Sequence, residues 1–182
     1  VGFGGNIDVN DGRASGACRA VLAAPDADLI ALVAGDDVVV LPTDADGVQV
    51  TAAADRFDPS RSIGEVSLST VRVPAEAVLP GAARALQTIW RILTAAEAVG
   101  LARATLSTAT DYAKVREQFG RPIGTFQAVK HHLADMFVDT EMTTAAVWDA
   151  ARTDDIDSAW FAAAVAAWHG VRAAVSNAQR NV

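Results

Sequence analysis

The chain has 182 residues, 51% of them hydrophobic, and a formal net charge of −7. This is enough apolar material for one large domain or two small ones with real cores. Residues 1 to 84 hold twelve Asp and Glu against six Lys and Arg, an acid excess that would repel nucleic-acid phosphates, and the longest unbroken apolar run, Ala159 to Trp168, is ten residues, far short of the roughly 20 a membrane helix needs.

The opening Val-Gly-Phe-Gly-Gly has no basic region ahead of an apolar segment, so nothing reads as a secretory or organelle signal. A single cysteine, Cys18, excludes an internal disulfide and fits a reducing cytoplasm. The first residue is not Met, and helical character runs unbroken to Asn181-Val182. A piece of a longer polypeptide, or one with disordered ends, is the expectation.

Residues 1 to about 80 read as antiparallel β structure, barrel-like or sandwich-like, because short Val, Leu and Ile runs alternate with Asp, Gly and Pro punctuation. The expected strands are Ser15 to Leu22, Leu29 to Ala34, Val38 to Leu41, Val48 to Thr51 and Val66 to Val73. Turns are expected at Asn10-Asp11-Gly12, Gly35-Asp36-Asp37 and Asp44-Ala45-Asp46-Gly47. In the last run the alternation is imperfect, and its buried face stays unassigned.

The boundary falls at Val73-Pro74 through Pro80-Gly81, which divides the chain into residues 1–80 and 81–182. After it the period changes from two to 3.6. A first helix is expected from about Ala83 to Arg116, with Leu86, Ile89, Leu93, Ala96 and Gly100 on one stripe and the last two allowing close helix approach. A second runs from Thr125, its N-cap, to about Arg152, with Phe126, Val129, Leu133 and Met136 on one face. A third, capped by Asp157 or Ser158, continues to the end of the chain. Short connections force antiparallel neighbours, so the fold class is α+β, with three helices of an incomplete four-helix bundle.

Between the first two helices lies Y-A-K-V-R-E-Q-F-G-R-P-I-G-T-F-Q, residues 112 to 127. Gly120, Pro122 and Gly124 break the helical period, which makes a rigid corner. Lys114, Arg116, Arg121 and Lys130 against Glu117 alone leave three excess positive charges in an acidic chain, which points to a bound anion.

Arg116-x-x-Phe119-Gly120-Arg121-Pro122-Ile123-Gly124, then Phe126-Gln127-Ala128 and Leu133-Ala134-Asp135-Met136, resembles the acyl-CoA dehydrogenases. Ala95 to Ala102 resembles the helix before this corner in the same family. The match spans about forty residues at consistent spacing. It implies a middle β-domain followed by the start of a C-terminal helical domain, without the family's N-terminal helical domain or its last helix.

The resemblance implies that the corner reaches across a subunit interface to the diphosphate and adenosine portion of a neighbour's FAD. Arg116 would grip phosphate, while Phe119 and Gln127 would meet the far end of the same cofactor. From the residues alone, Arg116 could equally cap its own helix C-terminus. Arg91 matches an arginine near the family's acyl-CoA site, against the simpler reading of a surface arginine.

No catalytic base is expected in this stretch. Trp90 stands where some members carry the catalytic glutamate, and Glu97 matches neither of the family's base positions. Gly16-Ala17-Cys18 replaces a G-x-K segment, with Ala20 and Leu22 where the family has an aromatic and a hydroxyl residue beside the flavin ring. His131 and Asp135 have i, i+4 spacing, but a third ligand is not in sight, so no metal is expected. His169 reads as a packed residue, Cys18 as a small buried one, and Trp148, Trp160 and Trp168 as core or subunit contacts.

The reading is a cytoplasmic, FAD-dependent acyl-CoA dehydrogenase subunit in fatty acid or steroid degradation. It would work with a same-family partner, identical or as in actinobacterial heteromeric enzymes, in an assembly of at least two such chains, with a tetramer expected. The alternative is a degenerate, non-catalytic partner subunit that stabilises the complex without binding flavin.

Overall fold

The computed structural model describes residue 2, residues 5–54, residue 58 and residues 60–181, so parts of the opening segment and Val182 lie outside the described residues. The chain divides into two compact units, Val1–Leu86 and Gln87–Val182.

The described residues of the first unit form seven strands: β1 Asn6–Asn10, β2 Arg13–Leu22, β3 Leu29–Ala34, β4 Asp37–Pro42, β5 Val48–Ala52, β6 Ile63–Arg72 and β7 Val78–Leu79. They form two antiparallel sheets, ordered β1-β2-β6-β5 and β3-β4-β7. Both contribute to one core, with Ile7, Val21, Val66 and Val71 from the first sheet and Ile30, Leu32, Val39 and Leu41 from the second. Among the described residues neither sheet closes on itself, so of the two expected forms the sandwich holds and the barrel does not. The β3 bounds fall where its Leu-Ile-Ala-Leu-Val-Ala run predicts. β1 and β7 were not anticipated: β1 buries only Ile7, and β7 is two residues long, too little for a hydrophobic pattern to register.

The broken alternation of β6 has a physical cause. Gly64, Val66 and Leu68 face the core up to Leu68, and Val71 and Val73 face it afterwards, because an extra residue is inserted between Leu68 and Val71 opposite Gly16 and Ala14. A one-residue slip moves every later side chain to the other face. Thr70 at φ 57° sits in this bulge, with its N–H bonded to Ser15 Oγ at 3.2 Å and its carbonyl accepting from Arg13 at 3.1 Å. A second bulge lies on β2 between Cys18 and Val21, with Ala20 at φ 55°. The two insertions fall on opposite strands and restore the register. Cys18 is buried, and burial pushes its thiol pKa up.

The second unit is built on α1 Ala83–Val115, α2 Gln127–Arg152 and α3 Ile156–Arg180. No helix of the described residues is long and apolar enough to cross a membrane. The α2 face read from Phe126, Val129, Leu133 and Met136 is turned inward, with Met136 fully buried.

The α1 stripe is reversed. Ile89, Leu93, Ala96 and Gly100 are exposed, and Leu93 keeps 60% of its surface in solvent. The inward residues are Ala95, Ala98, Val99 and Ala102. Close approach is set by Gly170 on α3, where an added Cβ would stand 3.2 Å from Ala95 Cα and 3.2 Å from Ala98 Cβ. Ala95, Ala150, Ala163 and Ala166 form the centre of this core. Each buries about one methyl group, roughly 0.8 kcal/mol, so backbone proximity rather than side-chain volume defines the packing.

The helix caps also differ from expectation. Asp155, not Asp157 or Ser158, caps α3, accepting from Ser158 N–H at 2.8 Å. Thr125 does not cap α2. Its hydroxyl donates to the Pro122 carbonyl at 2.7 Å, closing a single 3-10 turn over Ile123–Thr125 before the helix begins.

One polar residue joins all three helices. Asn177 on α3 is 0% exposed, and its Nδ2 lies 3.3 Å from Ala102 O on α1, 3.2 Å from Met136 O and 3.0 Å from Thr140 Oγ1 on α2. Thr140 donates its own proton to Met136 O at 2.7 Å, which leaves its oxygen lone pairs for the amide. Asn177 Oδ1 is buried with no hydrogen-bond partner among the described residues.

Candidate cofactor-binding corner

Between α1 and α2 the chain forms a miniature hairpin, β8 Glu117–Gln118 paired with β9 Arg121–Pro122. Its two turn residues, Phe119 at φ 53° and Gly120 at φ 73°, are both left-handed, as a type I′ turn requires. Gly120 adopts this freely. Phe119 does so at a cost of roughly 1–2 kcal/mol for an L-residue.

The surroundings hold that strain in place. The Arg116 N–H donates to Tyr112 O at 2.9 Å as the last helical bond, and Ile123 N–H donates back to Arg116 O at 2.8 Å. Gly124 lies against the end of α1, where a Cβ would be 2.9 Å from the Ala113 carbonyl oxygen. The corner is therefore rigid because its own backbone bonds close it.

What the corner displays is chemically distinctive. Phe119 is 91% exposed, its ring edge-on to Phe126 with centroids 6.1 Å apart. The Arg121 guanidinium lies 4.1 Å from the Phe126 centroid. The Arg116 side chain is exposed and makes no hydrogen bond or ion pair with the other described residues, the terminal carbonyls of α1 included. Lys114 is engaged by Asp111 at 3.2 Å. Gln127, the first residue of α2, is exposed, with its Nε2 3.0 Å from His131 Nε2. Unengaged guanidinium, exposed ring and exposed amide thus share one segment of 12 residues, 116 to 127.

Arg91 belongs elsewhere. It lies 25 positions before Arg116 along α1, roughly 37 Å at ~1.5 Å per residue. It is half-buried, with its guanidinium 3.8 Å above the Trp160 ring and Nη1 buried without a hydrogen-bond partner. Glu97 is exposed on α1, outside the enclosed setting in which a catalytic base would meet substrate. Ala20 is exposed in its bulge, and Leu22 is half-buried opposite Ile63.

The family model described as acyl-CoA dehydrogenase, C-terminal domain, matches residues 82–182, more than half of the chain. The chain belongs to the acyl-CoA dehydrogenase family. It is 42% identical over 151 residues to the acyl-CoA dehydrogenase FadE34 of Mycobacterium tuberculosis, covering 78% of this chain and 21% of that protein. Among solved structures, it is 30% identical to a chain of the ChsE4-ChsE5 complex of Mycobacterium tuberculosis, with a TM-score of 0.81 over 100% of this chain and 52% of that one. Butyryl-CoA dehydrogenase of Megasphaera elsdenii, at 24% identity, shares the fold with a TM-score of 0.84, over 98% of this chain and 52% of that one. The chain thus spans about a fifth of the length of FadE34 and about half that of these solved chains.

Within the acyl-CoA dehydrogenase frame, sequence reasoning missed two features of the corner. Arg121 enters the sequence reading only as a charge and a motif position, although an arginine five residues before a phenylalanine, with Pro122 and Gly124 between, can fold back onto the ring. His131 was weighed only as a metal ligand, although its i, i+4 spacing from Gln127 signals a side-chain pair. Among the described residues no group of three or more His, Cys, Asp or Glu could hold a metal ion.

Proposed function

We propose that this chain is a subunit of an FAD-dependent acyl-CoA dehydrogenase that lends its corner to the flavin of a partner subunit. The observation that carries this reading is the pairing of an unengaged Arg116 with a strained, almost fully exposed Phe119 at a rigid hairpin tip. Left-handed non-glycine residues cost energy and cluster at functional sites, and a hairpin with no role would not place phenylalanine there.

The diphosphate end of FAD fits this corner. Arg116 offers a planar, permanently charged fork for phosphate oxygens, Phe119 an apolar face and Gln127 a polar one. In this reading FAD supplies the acceptor for the hydride removed from the acyl chain, and the base comes from the partner. Arg91, buried at Nη1 without a partner, is assigned to the acyl-CoA side. The ring end of FAD does not fit the β unit in the same way, since exposed Ala20 in a left-handed bulge neither stacks on an isoalloxazine nor donates a hydrogen bond.

Two tests follow. Arg116→Ala should lower flavin occupancy of the purified complex at least about tenfold, because a charge-assisted contact worth roughly 2–5 kcal/mol when buried is lost. The thermal midpoint should barely move, since a helix-end charge contributes only ~0.3–1 kcal/mol. Arg116→Lys should restore part of the occupancy. Unchanged flavin content in Arg116→Ala would remove Arg116 from the site. The second test is assembly. Leu93, Phe161 and Trp168 are large apolar side chains left exposed on the helical unit, so light scattering should show a dimer or larger, and a stable monomer would contradict the proposal.

A specific observation favours a second reading, the non-catalytic partner. Trp90 cannot abstract a proton, and the Ala20 bulge lacks the ring contacts. Flavin stoichiometry separates the two: half or full occupancy supports the catalytic complex, and none supports the degenerate partner.

A further inference from the structure

We infer that Arg13 and Arg72, which face each other across β2 and β6, form a binding site for a phosphate monoester on the outer surface of the β unit. The inference stands apart from the cofactor corner, which belongs to the other unit.

Arg13 and Arg72 are cross-strand partners. The Val73 N–H donates to Gly12 O at 2.8 Å, so the next pair along, Arg13 with Arg72, is a non-hydrogen-bonded one. In such pairs the Cα atoms approach to about 4.5 Å and the side chains lie closest. Like charges placed there destabilise a sheet. Neither charge is neutralised: both arginines are exposed and form no ion pair with the other described residues, Asp8 and Asp11 of the adjoining hairpin included. Yet residues 1 to 84 carry twelve acids against six bases. An acidic unit that leaves two guanidiniums opposed and unpaired has kept them for an anion from outside.

The bulge at Thr70 creates the pair. Leu68 faces the core, and unbroken alternation would send Thr70 and Arg72 inward after it. The inserted residue buries Val71 instead and returns Arg72 to the outer face, opposite Arg13. The insertion holds a β-branched residue at φ 57°, a true outlier for that side chain. Arg13 secures it, because Nη1 donates to Thr70 O at 3.1 Å. That bond draws the guanidinium toward β6 and leaves its other N–H groups for a ligand. Ser15 Oγ accepts from the Thr70 N–H at 3.2 Å, so its own proton remains free to donate. Strained backbone persists where its surroundings over-determine it, and clusters at ligand sites. Two planar guanidinium forks beside hydroxyl donors match the three terminal oxygens of a phosphate monoester better than the two of a carboxylate.

The test titrates inorganic phosphate into the assembled protein against chloride at matched ionic strength, following the amide NMR shifts of Ser69 to Arg72. The shifts should saturate. Arg72→Gln should bind phosphate about tenfold more weakly, the effect of one charge-assisted contact. Arg13→Lys keeps the charge without the fork and should fall between the two. Arg19→Gln is the control, since Arg19 on the same strand is already held by Glu65 at 3.0 Å, and it should leave phosphate affinity unchanged.

Without phosphate the sign of the effect reverses. Arg72→Gln relieves the like-charge contact, so at low salt it should raise the denaturant midpoint of the β unit, and added phosphate should erase that advantage. An arginine with a purely structural role would lower the midpoint. Coenzyme A and its dephospho form identify the carrier: tighter binding of the form with the 3′-phosphate assigns that group, and equal binding assigns free phosphate. Equal phosphate affinity in wild type and Arg72→Gln overturns the inference, as does a lower midpoint for the variant in phosphate-free buffer.

Discussion

Gly16→Ala is expected to destabilise the β unit strongly while leaving the helical unit as stable as before. Gly16 lies in β2, paired with Ile7 of β1 on one side and Leu68 of β6 on the other, at φ 131°. This is a backbone region that side-chain-bearing residues occupy at a cost of about 1–3 kcal/mol. A Cβ there would run into the carbonyl oxygen of Asn6 and come within 2.9 Å of its carbon. These are backbone atoms in a paired strand and cannot swing aside, so β1 must move and the ladder with it. Overpacking of this kind adds roughly 1–3 kcal/mol. Together the two effects take about 3 kcal/mol or more from a domain whose whole stability is ~5–15 kcal/mol. Hydrogen exchange is the direct measurement: amides of Ile7, Val9 and Ala17 should lose protection, with those of Ala163 and Ala166 as internal references. Wild-type protection in β1 would show the clash to be relieved cheaply.

The second large effect is expected in Asn177→Asp. The carboxylate would face Ala102 O, Met136 O and Thr140 Oγ1, where the amide now donates. Thr140 could rotate to donate, but only by giving up Met136 O. An uncompensated buried charge costs about 3–5 kcal/mol, so the residue should resist ionising, with its folded-state pKa above the unfolded value. The folded state then binds more protons than the unfolded one at neutral pH, and stability falls as pH rises. The variant should accordingly be far less stable than the parent at neutral pH, with the gap narrowing as pH is lowered through the carboxyl range. Asn177→Leu is the control. It removes the orphaned Oδ1 along with the amide, and its penalty should be smaller and flat with pH. Denaturant midpoints across a pH series decide it. A pH-independent gap for Asn177→Asp would mean that the site admits water or finds a donor.

Legibility in the sequence followed the size of the local signal. The β3 run, the Asp- and Gly-marked turns and the three helices were visible because each carries several residues of one period or one strong breaker. The β6 alternation was visibly wrong at Thr70, but a sequence shows only that the period slips, not which partner absorbs the extra residue. On α1 the sequence offers two stripes on nearly opposite faces, about 150° apart at 3.6 residues per turn, and the one with larger residues reads as core. Alanine carries little hydrophobic weight, so the stripe that Gly170 approaches was overlooked. The corner was the most legible part, since Arg116, Phe119, Gly120 and Gln127 form a spaced motif. Its hairpin was not: a two-residue turn between two-residue strands leaves no hydrophobic alternation to read. Asn177 gave no signal at all, because a lone asparagine near a helix end looks the same whether it meets water or three neighbouring carbonyls and hydroxyls.

The hairpin at Phe119 has its turn, its left-handed residues and its closing hydrogen bonds in place before any encounter. A segment already in its docking shape loses little chain entropy on contact, where a flexible loop of the same sequence would surrender ~1–2 kcal/mol per residue ordered. In the proposed complex, capture by a partner would then be a matter of rigid-body orientation. Changes at the tip should show themselves in how long the two surfaces stay together, far more than in how often they meet.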